Sequence, residues 1–101
     1  MNIRVNKDIK LEFIKLCKSK GFSASKVITM FAIDYINSGK KSFSLGEITN
    51  ADDNLIGMCI SMDDELKQQL SIACDKYDKV NPSVMVRSMM HYCVQNVCLP
   101  F

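Results

Sequence analysis

Asn2 and Arg4 stand two residues apart, with Ile3 and Val5 interleaved between polar neighbours. An Asn side chain can pair with both edge groups of an adenine, and an Arg fork can do the same with a guanine. Strict alternation over Asn2–Asn6 is the period of a strand with one wet and one dry face. Asn2 and Arg4 therefore point out together, while Ile3 and Val5 point into a core. The alternation returns about 57 residues later, at Met58-Cys59-Ile60-Ser61-Met62. Met58, Ile60 and Met62 take the inward positions there. Cys59 and Ser61 take the outward ones, offering a thiol and a short hydroxyl.

Helical patterns follow each alternating stretch. Asn6 is an N-cap candidate, and Ile9, Phe13, Leu16 and Cys17 form one apolar stripe that Gly21 ends as a left-handed residue. Lys10, Lys15, Lys18 and Lys20 lie mostly off that stripe and read as a solvated face. Ser23 caps a second helix that buries Val27, Ile28, Phe31, Ala32, Tyr35 and Ile36 and stops at Ser38-Gly39. In the second copy Asp63 is the cap, and Leu66, Leu70, Ala73 and Cys74 repeat the first stripe. Asn81 caps the last helix, with Pro82 at its first position, where proline is welcome. Met85, Val86, Met89, Met90, Cys93 and Val94 match the six apolar residues of the earlier helix once one extra residue is allowed near Tyr77–Val80. The tail Val97–Phe101 is apolar enough to pack back on the core. The chain is one strand–helix–helix unit written twice.

Residues 1–37 and 55–101 are the two copies, and 38–54 a polar linker in which Ser44 and Glu47 have capping-box spacing. A chain of 101 residues supports one shared core, so 1–101 is a single domain. Net charge is only +2, but its distribution is uneven. Residues 1–37 carry seven Lys/Arg against three Asp/Glu, for +4; the linker carries two against three, and 55–101 four against five, for −1 each. The five cysteines are odd in number and lack a CxxC pair. With no signal-peptide pattern, that predicts a reducing, cytoplasmic setting without disulfides. Cys17 and Cys74 read as small core residues. One His, and Cys93 and Cys98 without zinc spacing, predict neither a metal site nor a cofactor. No run approaches the length that spans a membrane.

Strand, capped helix, Gly turn and Ser-x-Ser helix start, in that order, resemble the ribbon-helix-helix DNA-binding family, and the resemblance covers nearly the whole chain as two copies and a linker. Two motifs in one chain are similar to the TraY-type accessory proteins of conjugative relaxosomes. The resemblance implies a mostly α fold with a short two-stranded antiparallel β-ribbon, formed as a tandem intramolecular pseudo-dimer. Residues 2–6 would pair with about 58–62, over four helices. It implies that the ribbon enters the major groove of double-stranded DNA. By position, Asn2 and Arg4 would then read bases from copy one, and Cys59 and Ser61 from copy two, with Gly57 at the earliest reading position of that strand. The N-termini of the second helices would clamp phosphates through Ser23, Ala24, Ser25 and Lys26, and through Asn81 and Ser83 beside Pro82. Free N–H groups and the positive dipole end attract an anion there in any protein. Thr29 stands where the family commonly has Arg, whereas Arg87 keeps it.

The resulting expectation is sequence-specific DNA binding, as a small transcriptional repressor or as an accessory factor in plasmid or phage DNA processing, with chains able to associate side by side on DNA. The neutral second strand supports an alternative: a protein-interaction module that kept the fold and lost DNA. An enzyme is not expected. His91 is a lone imidazole, no Gly-rich phosphate loop is present, and Asp63-Asp64-Glu65 is explained as the acidic start of a helix.

Overall fold

The structure is a computed structural model that describes residues 1–43, 45 and 54–101. The capping-box pair Ser44 and Glu47, like Asp52-Asp53, lies outside the described residues. Six elements run in the order β1 (Asn2–Asn6), α1 (Lys7–Ser19), α2 (Ala24–Ser38), β2 (Leu55–Cys59), α3 (Asp64–Tyr77) and α4 (Pro82–Asn96).

Each helix begins where a side chain satisfies free N–H groups. Asn6 Oδ1 accepts from the N–H groups of Asp8 at 2.9 Å and Ile9 at 3.1 Å. Ser23, Asp63 and Asn81 do the same for Lys26, Leu66 and Val84. Helix α1 ends as expected at Gly21, which takes φ +84°. The Gly21 N–H reaches the Lys18 carbonyl and the Phe22 N–H the Cys17 carbonyl, the two bonds of a Schellman turn. Lys79 takes the matching left-handed conformation at φ +55° after α3. Because α3 is one residue longer than α1, at 14 against 13, the extra residue falls in its last turn.

The strands pair antiparallel as Asn2↔Cys59, Ile3↔Met58, Arg4↔Gly57, Val5↔Ile56 and Asn6↔Leu55. This differs from the expected partner stretch of about 58–62. Residues directly opposite in a sheet share a face, and pairing 2–6 with 58–62 would set outward Asn2 against inward Met62. The observed register keeps polar with polar and buries Ile3, Val5 and Met58. Pairing also extends one step, because Met1 and Ile60 exchange both backbone bonds, at 3.0 and 2.7 Å. Ser61 lies past the end of the ribbon.

The helices cross-pack beneath the ribbon, α1 on α4 and α2 on α3, with α4 behind β1. Phe13, Cys17, Val27, Ile28, Tyr35, Leu70, Cys74, Met85, Val86, Met89, Met90 and Cys93 are sealed from solvent, so all four stripes face one core. From the segment after α2, Phe43 also enters the core, its ring 5.7 Å from both Phe31 and Tyr92. Beside it, Lys41 pairs with Asp78 at 2.6 Å, and Tyr35 donates a short hydrogen bond to the same carboxylate. Gly39, at φ +69°, is needed here: a Cβ would sit 2.8 Å from the Tyr77 ring. In the tail, Leu99 packs against the core while Val97 and Phe101 stay exposed. Among the described residues no helix is long and apolar enough to cross a membrane.

Candidate nucleic-acid interface

The outer face of the ribbon is uncovered. It carries Asn2 and Arg4 from β1 and Gly57 and Cys59 from β2, all exposed. Of the four residues expected to read bases, the structure brings Asn2, Arg4 and Cys59 onto this face. Ser61 is exposed but stands two residues beyond β2, where its N–H donates to Ser25 Oγ at 3.2 Å. That bond ties the end of the ribbon to the start of α2.

The hydrogen-bond alternation fixes how this face is built. Met1↔Ile60 is a doubly bonded pair, and Lys7 N–H bonds the Asn54 carbonyl further along. The pairs between them therefore alternate, and Asn2↔Cys59 and Arg4↔Gly57 are non-bonded pairs whose Cα atoms approach to about 4.5 Å. Their carbonyls point to the ribbon's two edges. At one edge Arg87 Nη1 donates to the Arg4 carbonyl at 3.3 Å. At the other Lys10 Nζ donates to the Gly57 carbonyl at 3.3 Å. Two cations thus flank the polar face, and they also block the strand edges against pairing with another chain.

Beside β2, a groove is lined by Lys10, Ile14 and Lys18 of α1, by Ser23, Ala24 and Ser25 at the start of α2, and by Met58 and Cys59. Three of the expected phosphate contacts sit here, with Lys26 exposed one residue further on. Lys10 and Lys18 are the residues that sequence reasoning left on a solvated face. Their signal was present, eight residues apart in one helix, but only the crossing of α1 over the α2 N-terminus aims both at one groove. The second helix start is chemically different. Asn81 Oδ1 caps the Val84 N–H just as Ser23 Oγ caps that of Lys26, but Pro82 carries no N–H, and the adjoining hollow includes Asp75 as well as Lys76 and Lys79. Ser83 is half-buried there.

Among the described residues no group of three or more His, Cys, Asp or Glu side chains is arranged to hold a metal ion. Comparison with known proteins finds no matching family model, no similar curated protein and no similar solved structure.

Proposed function

We propose that this protein binds double-stranded DNA sequence-specifically, with its β-ribbon in the major groove, and that it acts as a small repressor or as an accessory factor in plasmid or phage DNA processing. On this reading the chain is a tandem ribbon-helix-helix pseudo-dimer in which both motifs come from one polypeptide. The observation that carries the proposal is the ribbon's outer face. Two exposed side chains of the kinds that can pair with base edges, Asn2 and Arg4, stand on it two residues apart, with Lys10 and Arg87 at its edges. A two-stranded ribbon is narrow enough for the major groove, and cations at both of its edges favour an approach to the negatively charged backbone.

The groove at the α2 N-terminus supplies the anchor. Its free N–H groups, the helix dipole, Lys10, Lys18 and Lys26 all favour a phosphate, while Ser25 positions the turn. The matching start of α4 contributes less, because Pro82 and Asp75 remove a donor and add a negative charge. Contacts of this kind position the protein without reading sequence. The test is selection of bound duplex from a random pool at two salt concentrations. A DNA-binding chain retains a defined sequence and loses affinity steeply with salt. If no sequence were enriched and retention did not fall with salt, the protein-interaction alternative would replace this reading.

A further inference from the structure

Gly57 is a residue that the fold does not explain. It lies in the middle of the ribbon on the exposed face, and its φ is not positive, unlike that of Gly21 and Gly39. A Cβ added to it would meet nothing within 4 Å. The register runs unbroken past it, from Asn2↔Cys59 to Asn6↔Leu55, so it does not serve a bulge. Glycine inside a strand weakens the strand and packs against nothing. Three ordinary reasons for glycine in a strand are a bulge, a left-handed conformation and the close approach of another backbone. None holds here. The remaining reason is the close approach of a ligand.

Its setting sharpens that conclusion. Gly57 faces Arg4 in a close, non-bonded pair, in which side chains on the same face stand about 4.5–5.5 Å apart. A side chain at position 57 would rise beside the Arg4 stem and project as far from the ribbon as Cys59 does. Without one, the middle of the face has a single long side chain and a bare backbone. That backbone is held in place, since Lys10 bonds the Gly57 carbonyl and Arg87 the Arg4 carbonyl.

Resting on the DNA-binding reading, we propose that Gly57 is a specificity-determining residue. Its bare backbone lets the base edges of the major groove close against β2, and leaves Arg4 free to cross the ribbon to a base on the β2 side. The glycine is therefore kept for the ligand, at a cost to the fold. This yields two readouts of opposite sign. Gly57→Ala and Gly57→Val are made in the full chain. Each is compared with the parent for thermal unfolding midpoint and for affinity to the duplex that the parent selects. The midpoint should stay the same or rise, more so for the β-branched valine. Affinity should fall, by roughly tenfold or more for Gly57→Val and less for Gly57→Ala. The slope of affinity against salt should not change, because phosphate contacts are untouched. If both variants bound within about twofold of the parent, or if their midpoints fell, Gly57 would not have this role. If the parent selected no duplex at all, the reading beneath it would fail first, and that outcome is distinct from either of these.

Discussion

At the scale of single residues, the five thiols divide by burial, and the division can be measured. Burial pushes the Cys17 thiol up to about 11, Cys74 to about 11 and Cys93 to about 12. The thiolate is the reactive form, so these three are inert at neutral pH as well as sealed from reagents. Cys59 is exposed and Cys98 half-buried. A thiol-alkylating reagent on the native protein should therefore modify Cys59 first and Cys98 more slowly, sparing the others until denaturant is added. Peptide mass spectrometry reads this directly. Selected duplex should protect Cys59 and leave the Cys98 rate alone. Equal labelling of Cys59 with and without DNA would remove the ribbon from the interface. For Lys26 the proposed role is of a different kind. Its exposed ammonium beside the α2 start should hold a phosphate, so Lys26→Ala should weaken all sequences alike and lower the salt slope by roughly 1. A change in sequence preference at constant slope would contradict that role.

The elements were legible wherever the signal was local. Caps at Asn6, Ser23, Asp63 and Asn81, the stop at Gly21 and the apolar stripes are each written within a few residues, and each is found in place. The register was not, because alternation fixes only which face a residue takes. The expected stretch 58–62 lies three residues from the observed 55–59, an odd shift that face-matching itself excludes; among even shifts, which keep every face, the choice rests on contacts far apart in sequence. Arg87 on the Arg4 carbonyl, Lys10 on the Gly57 carbonyl and Ser25 on the Ser61 N–H are contacts of that kind. The same limit hid the convergence of Lys10 and Lys18 on the α2 start. It also hid Phe43, an isolated aromatic in a polar stretch that is nonetheless buried. Asp78 at the end of α3 ties that stretch down, and its pH behaviour follows from its partners. Burial alone would raise its carboxyl, but the hydrogen bonds from Lys41 and Tyr35 and the Lys41 charge outweigh burial and hold it below the usual carboxylate range. A lowered folded value means that this stabilisation is fully present above the unfolded carboxylate value, near 3.9 for an unperturbed Asp. It is lost as pH falls through the folded value. Asp78→Asn should therefore cost about 1–3 kcal/mol at neutral pH, with the gap to the parent closing as denaturation is repeated in progressively stronger acid. A gap that stayed constant down to low pH would mean that the ionised carboxylate is not what holds the stretch.

Across the whole molecule, the two halves are built alike but equipped unequally. A ribbon made from two identical strands would present the same side chains on both sides of its centre and favour a palindromic site. Here the middle of the exposed face is Arg4 opposite Gly57, and the next pair toward the ribbon's end is Asn2 opposite Cys59. The strong donors stand on β1, Cys59 adds only a weak thiol donor, and Ser61, which matches Arg4 in the repeat, falls beyond the ribbon beside Ser25. Charge follows the same split, +4 in residues 1–37 against −1 in residues 55–101. The groove at the α2 start, with Lys10 and Lys18, belongs to the first half as well. A duplex docked on this face should therefore be read mainly by the side chains of β1, at a short and non-palindromic site. Longer sites would require several chains side by side in one orientation, on direct repeats. Arg4 can make a two-pronged contact to guanine worth roughly 1–3 kcal/mol of discrimination. Arg4→Ala should thus relax preference at one or two base pairs, and Ser61→Ala should change preference far less. Both variants are to be measured against every single-base change in the selected site. Equal loss of discrimination from the two, or a cleanly palindromic selected site, would show that the strands read DNA equivalently.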